Sequence, residues 1–168
     1  NFDCVVGAYH EDAPDFIFPN ENWGMDKTGY YTSQKSTWTF NGLNSLLDQK
    51  VGIIKGYAYE EEFNELIKSN PKVFDGASGN DALDKNFKKL AGGRIDVVVE
   101  SISVGNAKIK ELGFKDKVKL SGENPAAEPL YIACSPNNPA SKQYVELIDK
   151  GTKTLRASGK LKEILGKY

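Results

Sequence analysis

Leu90-Ala91-Gly92-Gly93-Arg94-Ile95-Asp96-Val97-Val98-Val99-Glu100 is the stretch that decides how this chain is built. Its first two residues close a series, Leu83, Phe87, Leu90 and Ala91, spaced as one face of an amphipathic helix. Asn80 or Asp81 stands where such a helix is capped, and Gly92-Gly93 stops it. Residues 95–99 are β-branched apart from Asp96 and carry the strongest strand signal in the sequence. A helix delivered through a glycine turn into an apolar strand is the building unit of an α/β sheet.

The same unit recurs on either side. Residues 51–55 read as a strand closed by Gly56, and Tyr59, Phe63, Leu66 and Ile67 then mark a helix that Asn70-Pro71 ends. Residues 73–77 read as the next strand. Beyond Glu100, Val104, Ile109 and Leu112 predict a short helix before Gly113, and residues 118–120 a further strand. Short β-α connections of this kind predict a parallel sheet with helices on both faces. Towards the start, residues 4–7 read as a short buried strand, residues 9–23 as loop around Pro14 and Pro19, and residues 29–33 as a strand. Towards the end, residues 130–134 read as a strand. A long helix runs from Pro139 through Leu155, and a last short one follows Ser158-Gly159.

Composition excludes several classes of function. Of 168 residues, 39% are hydrophobic and 27% charged, with a formal net charge of −1. That is ordinary for a globular chain with a packed core. Basic residues are dispersed, so no nucleic-acid surface is expected. The lysines at 85–89 and 160–167 fall at helical spacing and read as solvated faces. One histidine and two cysteines are too few for a Cys/His zinc site. His10, alone on a loop, reads as a surface residue rather than a catalytic one.

Four strings, taken in order, carry a resemblance. Leu46-Leu47-Asp48-Gln49-Lys50-Val51-Gly52-Ile53-Ile54-Lys55-Gly56-Tyr57-Ala58-Tyr59-Glu60 and the stretch quoted first are two of them. The others are Pro129-Leu130-Tyr131-Ile132-Ala133-Cys134-Ser135-Pro136 and Thr154-Leu155-Arg156-Ala157-Ser158-Gly159-Lys160-Leu161. Together they resemble the bacterial extracellular solute-binding proteins of family 3, the receptors of amino-acid ABC importers. The resemblance implies an α/β fold of the periplasmic-binding-protein-like type II, with two lobes joined by two crossing strands. On that pattern residues 27–126 make one complete lobe, and residues 1–26 with 127–168 make part of the other. About half a lobe of β-α units that the pattern places before Asp3 is missing, and the chain opens on what reads as a strand already under way. A half-built lobe predicts association, strand exchange or a bound second fragment.

The family's chemistry then gives expectations for particular residues. It implies a periplasmic or extracytoplasmic protein that binds a small polar ligand, an amino acid or similar, in a cleft between the lobes. Hinge closure and docking on an ABC permease of the inner membrane follow. The resemblance implies no catalytic residue, no metal and no cofactor. Candidate ligand-binding residues are Gly7, Tyr9, Gly56, Tyr57, Ala58, Glu100 and Ser101. Gly56 permits close backbone approach, and the amides of Tyr57 and Ala58 at a strand-to-helix turn can receive an anionic group. Glu100 closes its strand at the sheet edge. The family's amino-acid binders place an aspartate at the next position to hold the ligand ammonium, and here that residue is Ser101. Glu100 is the substitute or else points to solvent, and Ser101 offers a neutral hydrogen bond. The family's Thr-x-x-Arg, which clamps a carboxylate, has no arginine near Gly7-Ala8-Tyr9-His10. Tyr9 and Trp23 offer stacking surfaces, whereas Trp38 and Phe40 read as packing. The pattern makes the strands of Cys4 and Cys134 neighbours. Two buried free thiols are expected there, with a cross-strand disulfide as the alternative. Two other roles suit the same scaffold: a sensor module of a signalling protein, and a dehydratase, for which no facing acid and base are evident.

Overall fold

The computed structural model describes residues 2–57 and 59–166. In chain order it contains β1 (Cys4–Ala8), β2 (Gly24–Asp26), β3 (Thr28–Ser33), a 3-10 turn (Leu43–Leu46), β4 (Val51–Ile54), α1 (Glu61–Ser69), β5 (Phe74–Ala77) and α2 (Ala82–Ala91). There follow β6 (Val97–Ser101), α3 (Ile102–Glu111), β7 (Val118–Glu123), β8 (Glu128–Cys134), α4 (Ser141–Ala157) and α5 (Lys160–Leu165). These elements divide into two units, Lys27–Ala126 and Asn1–Asp26 with Ala127–Tyr168.

The middle unit is a five-stranded sheet in the order β5-β4-β6-β3-β7. The alternation of side chains along a strand explains how it is covered. Val97 and Val99 of β6 join Tyr30, Val51, Ile53, Phe63 of α1 and Phe74 in one apolar cluster. Val98, between them, joins Tyr31, Phe87 and Leu90 of α2 and Ile109 of α3 in a second. A valine run buried on both faces therefore needs helices on both faces, and the unit is a three-layer sandwich. Trp38 and Phe40 pack against the first cluster, with Phe40 stacked on Tyr30 at 3.7 Å between ring centroids.

The sheet is not wholly parallel. β4 runs parallel to β5 and β6, but β3 is antiparallel to both of its neighbours, β6 and β7. The reason is where the chain comes in. Thr28, first in β3, pairs with Ser101, last in β6, and Gly29 pairs with Glu123, last in β7. A strand that starts at the edge where the others finish must run against them. Two smaller differences concern the helices. Asp81 sits at the N-cap of α2 without a side-chain cap bond, because its carboxylate pairs with Lys85 at 2.7 Å. Val104 of α3 is exposed and lies outside the core.

The other unit is a three-stranded antiparallel sheet, β1-β8-β2. Its core is small: Ile132, Cys134 and Val145, with Cys4, Ile17, Trp23 and Ile148 packed around them. β1 is not the buried strand expected from its composition. It is an edge strand, with Val5 48% and Val6 63% exposed. The expectation of two free thiols is also corrected. Cys4 stands directly opposite Cys134 in the β1–β8 register, and the two form a disulfide. Trp23 is packing rather than a stacking platform, and its Nε1 donates to Thr152 Oγ1 at 3.1 Å.

Candidate functional site

Four of the candidate residues lie at one edge of the middle sheet, where β4 and β6 end. Gly56 follows β4 with φ of 86°, a conformation that glycine adopts without strain, and a Cβ there would meet nothing within 4 Å. The turn after it is closely tied. The Tyr57 N–H donates back to the Ile54 carbonyl at 3.4 Å, and the Ile54 N–H donates to the Tyr59 hydroxyl oxygen at 2.9 Å. The Tyr57 amide is thus drawn into the turn instead of standing free. Ala58 lies outside the described residues. Tyr57 itself is 52% exposed, a large aromatic ring presented to solvent.

Glu100 does not point to solvent. Only 7% of it is exposed, and its Oε1 accepts the Ser101 N–H at 2.9 Å. Its charge reaches the tyrosine turn. Burial first, and the Glu100 carboxylate next, hold the Tyr57 phenol above its ordinary value. Burial also pushes up the Tyr59 phenol. The hydrogen bond from the Ile54 amide opposes that rise, and the charge of Glu100 adds to it. Ser101 caps α3, its Oγ accepting the Val104 N–H at 3.4 Å and lying 3.0 Å from Ser103 Oγ.

Helix α1 does not begin until Glu61, with Glu61 and Glu62 in its first turn. Those carboxylates stand at the positive end of the α1 dipole, which favours them there. Sequence reasoning missed two participants. The Glu60 carboxylate accepts from Asn124 Nδ2 at 2.7 Å on each oxygen. Asn64 holds the Tyr59 carbonyl with its side chain and the Glu60 carbonyl with its backbone N–H. The glutamate run was visible, but no local signal links it to a residue 64 positions away.

The remaining candidates belong to the other unit. Gly7, with φ of 82°, is the extra residue of a β-bulge, since Val6 pairs with Ile132 and Ala8 with the adjacent Tyr131. The Tyr9 hydroxyl donates to Asp26 Oδ2 at 3.0 Å. Burial, then the Asp26 charge, raises that phenol well above its ordinary range. His10 stacks on Phe18 at 4.0 Å and meets the edge of Tyr131 at 4.7 Å, so it belongs to an aromatic cluster. Among the described residues no group of acidic, histidine and cysteine side chains is placed to hold a metal ion. No described helix is long and apolar enough to cross a membrane.

No family model matches the chain, and no curated protein matches it. Solved structures do. An ancestral arginine-binding protein bound to arginine is 22% identical with a TM-score of 0.76, over 99% of this chain and 71% of that one. The fold is periplasmic-binding-protein-like. The amino-acid ABC transporter substrate-binding protein AbpA from Streptococcus pneumoniae, bound to L-arginine, is 19% identical. Its TM-score is 0.72, over 98% of this chain and 67% of that one. A histidine kinase sensor domain with similarity to periplasmic binding proteins is 17% identical, with a TM-score of 0.74, covering 99% and 68%.

Proposed function

We propose that this chain is the greater part of a non-catalytic solute-binding receptor of an ABC importer. Its ligand is a small polar molecule with a cationic group, an amino acid or similar. In the manner the family resemblance implies, capture is followed by hinge closure and delivery to a membrane permease from the periplasmic or extracytoplasmic side. The observation that carries the reading is Glu100. It is a buried carboxylate at a strand end whose charge is felt by the phenols of Tyr57 and Tyr59. An exposed aromatic ring near a desolvated carboxylate is the chemistry that receives a cation. The same fold in proteins bound to arginine supports this.

The parent protein is further read as carrying additional β-α units of the lobe to which β1 and β8 belong. What supports this is coverage. Two structures match 99% and 98% of this chain while only 71% and 67% of their own length is matched. Val5, Val6, Met25 and Leu147 also stand exposed in that unit.

Isothermal titration of the protein with L-arginine, L-glutamine and L-glutamate tests the ligand reading. Binding of L-arginine over L-glutamate is expected. Glu100→Gln should weaken it by about 30-fold or more, the scale for removing one member of a desolvated charge pair. Preference for L-glutamate, or an unchanged affinity in Glu100→Gln, would rule out the cationic site. A sensor module is the second reading, favoured by the likeness to the histidine kinase sensor domain. Import of labelled solute by cells carrying the parent gene, lost on its deletion, separates receptor from sensor.

A further inference from the structure

We propose that Asn124 is a positioning residue. It ties the Tyr59–Glu60 peptide before α1 to the segment by which the chain leaves the middle unit, so that occupancy of the site beside Tyr59 and the conformation of that segment are set together. This rests on the reading of the turn and Glu100 as the ligand site.

Three polar groups of Asn124 reach three different targets. Its N–H donates to the carbonyl of Thr28, the first residue of β3, at 2.8 Å. Its Nδ2 donates to both oxygens of Glu60 at 2.7 Å. Its Oδ1 accepts the N–H of Ala126, the last residue of the middle unit, at 3.2 Å. One residue therefore joins the beginning of the unit, through its backbone, to the unit's end and to Glu60, through its side chain.

The Glu60 side chain makes no cap bond to its own helix. Its carboxylate is committed to Asn124 in a charge-assisted contact, and both residues are half-buried, which limits competition from water. What Asn124 pulls on is consequential. The peptide between Tyr59 and Glu60 is fixed on its other side by the Asn64 side chain, and Tyr59 returns to β4 through its hydroxyl. Moving Glu60 therefore moves the Tyr59 backbone and, through the Tyr59 hydroxyl, its link to the end of β4 beside Glu100. Asn124 is neutral, so its loss changes the geometry of the site without removing charge from it. Structural support for a strand end alone would predict a fall in stability without a change in affinity.

The test has two arms on the purified chain. In the first, the Kd for L-arginine and the ligand-free melting temperature are measured for the wild type and for Asn124→Ala. A loss of about fivefold or more in affinity, with the ligand-free melting temperature nearly unchanged, is expected. An unchanged affinity, or a loss matched by general destabilisation, would overturn the proposal. In the second arm, amide hydrogen exchange is followed without ligand. Asn124→Ala should speed exchange at the Asn64 amide, and Glu60→Ala should speed it at the Ala126 amide. Changes confined to the mutated side would overturn the link. If L-arginine fails to bind the wild type, the cationic-ligand reading falls, and the second arm still decides whether turn and exit segment are joined.

Discussion

The two units solve the same problem of burying apolar surface with very different means. The middle unit has five strands covered on both faces, with Tyr31, Val97, Val98 and Phe87 fully buried. The other has three strands and a core built around Ile132, Cys134 and Val145, with large apolar side chains left in solvent. A disulfide closes it across a separation of 130 residues. Hydrophobic content alone therefore does not determine how a region is held. In one unit the stabilising term is packing on two faces of a sheet. In the other a covalent link restricts the unfolded chain where packing is thin.

Substitution can test each unit separately, because each holds one of the chain's two tryptophans, Trp23 and Trp38. In a Trp23→Phe background, Trp38 reports the middle unit. Phe87→Ala removes a fully buried ring that meets the edge of Tyr31 at 5.5 Å. It should lower the stability seen by Trp38 in urea by about 3–5 kcal/mol. In the reciprocal Trp38→Phe background the Trp23 transition should stay in place. Equal shifts of both transitions would mean that the units unfold as one and that the contrast is only descriptive. Reduction of Cys4–Cys134 is the mirror experiment. The Trp23 transition should fall by about 2–4 kcal/mol, and the Trp38 transition should hold.

The same contrast marks what was legible in the sequence. Gly92-Gly93 followed by the valine run of β6 announced both the helix-to-strand turn and burial on two faces, since an alternating pattern would have meant one solvated face. The direction of β3 was not legible. Residues 29–33 look alike read either way, and orientation is set by where the chain arrives. β2, three residues long, carries no period to detect. The disulfide depends on register between strands far apart in sequence, which composition cannot supply. In the candidate site, Gly56 and Glu100 were visible as a turn and a strand end. Burial of Glu100 and its reach to Tyr57 and Tyr59 depend on how β4 and β6 lie side by side. The Asn124–Glu60 contact is of the same kind, a pairing that only tertiary structure creates.

Part of the smaller unit's surface looks like core by composition, and substitution there should have the smallest effect. On α4, Val145 is buried and Ile148 packs beside it, whereas Leu147 is 60% exposed. A leucine that contributes to packing loses several kcal/mol when replaced by a charge, but one already in water loses almost nothing. Leu147→Lys should therefore change the Trp23 transition by no more than about 0.5 kcal/mol. Its effect should appear in solution behaviour instead. If the exposed side chains of this unit form a surface that other protein meets, the lysine will suppress self-association of the chain in sedimentation velocity while leaving its fold intact. A destabilisation above about 1 kcal/mol would show that Leu147 already contributes to the unit's own packing. The core of this unit would then be larger than Ile132, Cys134 and Val145, and the disulfide a smaller share of what holds it.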